Sequence, residues 1–283
     1  MASWSVVIVQ PPGYAHSGAF LEVGETLAHA LRRLGHDAIL TADPAIPGRR
    51  PIVLGSNLLE AHPVPLPDDA ILYNLEQIDP GSSWLRPALL ERFRRHEVWD
   101  YSARNAARYP ELGLRPPRVV PIGWVPELTR IRPAPREDLD VLFYGSVNDR
   151  RARVLEALRA RGLRVHAAFG VYGAARDALV ARAKVVLNVH YYEAKVFEIV
   201  RVSYLLANGR CVVSERGADP AEERAFEAGV AFAPYDGLAE RCAALVASPA
   251  ERACVAAEGL RVMTSRPATA AVAAALAAPH PRA

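Results

Sequence analysis

Residues 184–215 read KVVLNVHYYEAKVFEIVRVSYLLANGRCVVSE. The apolar run at 185–189 has the composition of a strand buried on both faces, which is how parallel sheets read. A polar loop follows, then a helix stopped by Gly209, then a second apolar run ending at Glu215. This is one βαβ unit. In open parallel sheets ligands bind beyond the carboxyl ends of the strands, so His190, Tyr191, Tyr192, Glu193 and Lys195 fall where chemistry is expected. A helix whose N-terminus opens beside that loop suits a phosphorylated ligand, because its first N–H groups are unpaired and its dipole favours negative charge.

The same alternation runs outward in both directions. Toward the N-terminus, residues 5–9 form a β-rich run, a loop carries Pro11, Pro12, Gly13 and His16, and Phe20, Leu21, Leu27, Ala30, Leu31 and Leu34 recur at helical spacing. Strands are expected at 36–40, 51–54, 70–73, 98–101 and 119–122, with helices at 84–96 and 103–109. A proline-rich stretch from Pro121 to Pro135 can continue neither element, and it fits a connection between domains. Beyond it come a strand at 140–144, a Gly145-Ser146 turn, a helix through 161, a strand at 163–167 and a helix at 174–183. The fold class is α/β: two Rossmann-like domains, 1–135 and 136–283, with mostly parallel sheets facing across a cleft. The alanine-rich tail at 267–278 has strong helix propensity and is expected on the outside.

At 283 residues, 51% of them hydrophobic, the chain can bury two ordinary cores. A net charge of +3 does not point to nucleic acid or a membrane surface. Only Lys184 and Lys195 are lysines, so arginine is inflated by composition and a lysine in the polar loop is the more telling cation. The three cysteines, Cys211, Cys242 and Cys254, form no CxxC pair, which argues against disulfides or a zinc site. No apolar run has the length of a membrane span, and the early run at 6–9 is too short for a signal peptide. A cytoplasmic location is expected.

Gly145-Ser146-Val147-Asn148-Asp149-Arg150-Arg151 follows a strand and opens a helix, so its N–H groups could hold a diphosphate while Arg150 or Arg151 neutralises it. The turn lacks the glycines of a dinucleotide fingerprint and the ending of a P-loop. An ordinary helix cap by Asn148 or Asp149 is the plainer alternative. On a helix, Lys195, Glu198 and Arg201 would share one polar stripe, either salt-bridged or turned to a ligand. Glu193 and Glu198 are candidates to accept hydrogen bonds from sugar hydroxyls. Tyr191 and Tyr192 could stack on a sugar or base, though alternation would put one of them in the core.

These segments resemble the donor-binding half of GT-B-fold glycosyltransferases, in particular the group 1 family. The residues that carry the resemblance are VVLNV, HYYEAK, YLLANG and CVVSE, joined by VVPIGWVPEL and VLFYGSVNDRR. It covers most of the chain, more specifically in the second half. It implies a nucleotide diphosphate-sugar bound mainly by the C-terminal domain and an acceptor bound by the N-terminal one. Retaining members carry two glutamates where this chain has Val196 and Tyr204, so the retaining or inverting outcome stays open. The opening PPGYAHSGAFLEVGETLAHALRRLGHDA is similar to that of inverting GT-B enzymes, in which a histidine of this loop is the general base. His16 occupies a comparable place, with Glu76, at another strand's end, as the alternative base or an acceptor contact.

The expected donor site comprises Gly145, Ser146, Arg150, Arg151, His190, Tyr191, Lys195 and Glu198, and the expected catalytic groups are His16, Glu76 and Glu193. No metal or other cofactor is expected, because Asp138-Leu139-Asp140 precedes its strand and lies at the wrong sheet edge for a DxD metal site. The acceptor, whether glycan, lipid, protein or small molecule, is not specified. Two rival readings are a non-catalytic nucleotide- or sugar-binding protein on the same scaffold, and a transferase acting on a polymer such as DNA.

Overall fold

The computed structural model describes residues 1–79, 82 and 84–278. Contacts divide the chain into two units. One comprises Met1–Glu127 together with the segment from Pro267 onward, the other Leu128–Arg266. The division falls a few residues before Pro135, and the tail belongs to the first unit rather than the second. The reason is local: Ala268 N–H donates to the Trp124 carbonyl at 2.9 Å, and the tail helix buries Ala268, Val272 and Ala275.

The first unit contains β1 (Ser3–Ile8), α1 (Leu21–Arg33), β2 (Asp37–Thr41), β3 (Arg50–Leu54) and β4 (Ile71–Asn74). It continues with α2 (Pro87–Arg95), β5 (Glu97–Asp100), α3 (Ala103–Arg108) and β6 (Arg118–Val119). The strands form one parallel sheet in the order β2-β1-β3-β4-β5-β6. Ile52, Val53 and Leu54 are wholly buried, each contributing about 1.5–3 kcal/mol relative to exposure. In α1 the expected positions Leu27, Ala30 and Leu31 face inward. Helix α2 begins at Pro87 rather than at residue 84, since proline is favoured in a first turn, where its missing N–H costs nothing. Residues Ala15–Phe20, read as loop, form a 3₁₀ turn leading into α1.

The second unit contains β7 (Leu139–Tyr144), α4 (Asp149–Ala160), β8 (Val165–Ala168), α5 (Gly173–Arg182) and β9 (Ala183–Asn188). It continues with α6 (Ile199–Ala207), β10 (Val212–Glu215), α7 (Pro220–Arg224), β11 (Ala231–Ala233), α8 (Leu238–Ala247) and α9 (Pro249–Thr264). The tail helix of the first unit is α10 (Ala268–Ala277). The second sheet is also parallel, in the order β11-β10-β9-β7-β8. Its core joins Val141, Phe143, Val185, Leu187 and Val213 to Leu155, Leu158, Leu238 and Leu245 of the covering helices.

The strand order of each sheet reverses once. In the first the reversal lies between β1 and β3, in the second between β7 and β9. At such a point the loops leaving two adjacent strands turn to opposite faces and open a crevice at the carboxyl edge. The turn at Gly145 and the loop at 189–198 leave the second reversal, and the loop holding His16 leaves the first.

Candidate functional site

Helix α6 starts later than expected. Glu198 stands at its N-cap position, so Lys195 is not on the helix and the stripe Lys195-Glu198-Arg201 does not exist. Lys195 has a φ of +46°, a left-handed conformation rare for a residue with a side chain and typical of functional loops. Two backbone bonds hold it there: its own N–H to the Tyr192 carbonyl at 3.2 Å and the Ala218 N–H to its carbonyl at 3.0 Å. The irregular path also removes strand alternation, so neither tyrosine enters the core. Tyr191 is exposed and Tyr192 half-buried, their rings in edge contact at 5.0 Å.

Around this loop the charges sort into two groups. In the first, Glu215, buried at the end of β10, receives both Nη atoms of Arg150 and stands 3.4 Å from Lys195 Nζ. It also accepts from His190 N–H at 3.1 Å. Burial alone would raise the Glu215 pKa, but the Arg150 bonds and the His190 side hold it below the usual carboxylate range. Arg150 lies over the Tyr235 ring at 4.1 Å, and Tyr235 OH donates to its carbonyl at 2.7 Å. Thus Arg150 and Lys195 are brought together with His190. Glu215 and Tyr235 were missed. The signal for Glu215 was present: a carboxylate ending an apolar strand at the functional edge.

In the second group, Glu198 accepts from Asn188 Nδ2 at 2.8 Å, and its Oε2 stands 2.8 Å from His190 Nδ1. The His190 ring is wholly buried. Its Nδ1 approaches Glu198 without an aligned hydrogen bond, and its Nε2 has no partner. Desolvation works against ionisation of Glu198, yet His190, Asn188 and Arg201 together lower its pKa. Glu193 is exposed in the turn after Tyr192.

At the Gly145-Ser146 turn, Asn148 caps α4 by accepting from Arg151 N–H at 3.0 Å. Gly145 has a φ of +134°, and a Cβ there would stand 3.0 Å from Arg201 Nη2. Arg151 is buried, with desolvation lowering its pKa to about 10, and its guanidinium donates to the Val189 and Ser146 carbonyls.

The two acids of the Asp138-Leu139-Asp140 motif are ion-paired: Asp138 with Arg182 at 2.6 Å, and Asp140 with both Arg164 and Lys184 at 2.8 Å. Among the described residues no group of three His, Cys, Asp or Glu side chains converges as a metal site.

In the first unit, Glu76 follows β4, and Asn57 donates to its carboxylate at 3.4 Å. Asn74 and Asn105 each donate to the Glu76 carbonyl, at 2.8 and 2.9 Å. Both amides also reach Asp100, at 2.7 and 3.1 Å. Desolvation raises Glu76 to about 7 against the Asn57 bond. It also raises Asp100 to about 7. Tyr14 is raised first by burial and then by the Glu76 charge, and its ring meets His16 at 5.2 Å. Tyr14 is therefore near both candidate bases, and Glu76 is half-buried rather than solvated on the surface.

The two parallel α/β sheets match the GT-B fold of the solved structures to which the chain is similar. Among solved structures the chain is similar to AviGT4, a glycosyltransferase involved in avilamycin A biosynthesis, at 19% identity and a TM-score of 0.56, covering 98% of this chain and 96% of that one. It is similar to Anabaena HepE in complex with UDP-glucose at 12% identity and a TM-score of 0.60, covering 98% and 99%. Sucrose-phosphate synthase from Thermosynechococcus elongatus shows 13% identity and a TM-score of 0.59, covering 96% and 97%. An uncharacterized protein of Acanthamoeba polyphaga mimivirus is 32% identical over 105 residues, 36% of this chain; the match spans 12% of the viral protein's length. No protein-family model matches the chain. Among the described residues no helix is long and apolar enough to cross a membrane.

Proposed function

We propose that this protein transfers a sugar from a nucleotide diphosphate-sugar to an acceptor. The observation that carries this reading is the meeting of Arg150, Lys195 and His190 at the carboxyl edge of β7, β9 and β10, beside a glycine turn that opens α4. In this reading the diphosphate lies against the Gly145-Ser146 turn and the cations Arg150 and Lys195. The sugar lies near His190, with Glu193 and Glu198 as acceptors for its hydroxyls and Tyr191 as a stacking surface. Arg151 shapes the site from beneath. Stabilising the charge that develops on the departing diphosphate is then the main catalytic contribution.

Acceptor activation falls to the first unit. A carboxylate with a pKa near 7 is suited to take a hydroxyl proton at neutral pH, and Glu76 is assigned that part here. His16 then orders Tyr14 at the same edge. No metal is assigned a part in the transfer, since the carboxylates of the DxD-like motif are already held by Arg182, Arg164 and Lys184.

Isothermal titration with UDP-, GDP-, ADP- and TDP-linked sugars and the free nucleotides is the direct test. Binding of at least one is expected, and binding of none would sink the proposal. A non-catalytic binding protein is the second reading. Its support is that Val196 is buried while Tyr204 OH is engaged by Asp177 at 2.9 Å and Arg130 at 2.9 Å, leaving no carboxylate at those places. Release of nucleoside diphosphate by slow donor hydrolysis separates the two, because a binding protein gives none.

A further inference from the structure

We infer that Arg201 of α6 is a further guanidinium that meets the diphosphate at the Gly145-Ser146 turn, beside Arg150 and Lys195, and that Arg151 acts there only as a positioning residue. The inference rests on the donor reading above and goes beyond it by moving to Arg201 the part expected of Arg151.

Every nitrogen of the Arg151 guanidinium is already engaged. Nε and Nη2 donate to the Val189 carbonyl at 2.9 and 2.6 Å, and Nη1 donates to the Ser146 carbonyl at 2.8 Å. The group lies 5.3 Å from the Phe143 ring centre and 5.1 Å from that of Tyr191. It ties the turn after β7 to the end of β9 across the point of sheet reversal. An oxyanion could recruit it only by breaking those bonds, and the two to the Val189 carbonyl are buried, where an unpaired carbonyl is costly.

Arg201 stands differently. Its Nη1 makes one long contact, 3.4 Å to Asn188 Oδ1, and the group is half-buried. The Tyr144 ring supports it at 5.2 Å, and Nη2 lies over Gly145 at the place a Cβ would crowd. The absence of that Cβ is what lets the guanidinium approach the turn. Glu198, three residues earlier, tempers its charge, but that carboxylate also serves Asn188 and His190. A guanidinium with donors to offer, set over a glycine turn at a helix N-terminus, matches the planar pairing that phosphate oxygens accept.

The test measures affinity by titration for inorganic pyrophosphate and for UDP, GDP, ADP and TDP, beside the matching nucleosides. Arg201→Met should weaken the nucleoside diphosphate that the wild type binds by about tenfold or more. The nucleoside should bind as before, and Arg201→Lys should recover part of the loss. Gly145→Ala, which places a methyl group against Nη2, should weaken the same ligand in a protein whose thermal melt shows it folded. If the wild type binds none of these phosphates, the donor reading falls and this assignment with it. If the wild type binds and Arg201→Met binds equally well, the assignment alone is wrong.

Discussion

Arg150 and Arg151 are neighbours in sequence with opposite fates. Side chains one position apart on a helix diverge by about 100°. Arg150 therefore reaches Glu215, whereas Arg151 turns beneath the loop to the Val189 carbonyl. Sequence order could place a cation at this turn but could not say which residue would be buried. The difference is measurable as stability. Arg151→Leu should cost about 1–3 kcal/mol in urea unfolding, because the buried Val189 carbonyl loses its donors and the part-buried Ser146 carbonyl loses one. Arg201→Leu should cost less than about 1 kcal/mol; equal losses would contradict the division of roles. Glu76 gives a second prediction at this scale. Its folded pKa, about 7, lies above the ordinary 4.5, so between those values the folded state binds more protons than the unfolded one. Stability from this group is present below about pH 4.5 and lost as pH rises through 7. Relative to Glu76→Gln, the wild type should lose on the order of 2 kcal/mol between pH 4.5 and 7.5. In donor hydrolysis the wild-type rate should climb through a pKa near 7, and Glu76→Gln should abolish that limb while lowering kcat by about 10²–10⁴.

The elements were more legible than the contacts they make. Buried parallel strands announce themselves as apolar runs, and the strand of 185–189, the Gly209 stop and the run ending at Glu215 appear nearly as read. Helix starts were harder. The apolar residues Val196 and Phe197 carry the helical period back to Lys195, but both are buried in the loop before α6 begins. Periodicity cannot distinguish a helix from an irregular loop that buries the same residues. The Glu198–His190 pairing depends on that loop path, so no spacing rule could have exposed it. Glycine raises the same problem at α9. A helical Gly259 reads as a weak point, since alanine is favoured there by about 1 kcal/mol. In the structure a Cβ at 259 would stand 2.9 Å from the Gly229 carbonyl oxygen and 2.9 Å from Leu206 Cδ2. Overpacking against backbone costs about 1–3 kcal/mol, which outweighs the propensity gain. Gly259→Ala should therefore lower the melting temperature by a few degrees; a rise would mean that α9 can retreat from that turn.

At the scale of the whole molecule, the chain order and the division into units do not coincide. A linear reading assigns the tail to the second domain because it follows that domain in sequence. The structure instead packs α10 on α1, with Val272 1% exposed and the Ala268 N–H bonded to the Trp124 carbonyl. Composition could not reveal this, since an alanine-rich helix has small side chains and no polar signature that names its partner. The two assignments predict opposite results on truncation after Arg266. If α10 belongs with the first unit, its loss uncovers the outer face of α1 and removes about 2–4 kcal/mol of burial from that unit alone. Hydrogen exchange should then quicken in α1 and in β2, against which α1 packs, while β7, β9 and β10 keep the protection of the full-length chain. Faster exchange in the second sheet with α1 unchanged would return the tail to the domain that precedes it in sequence.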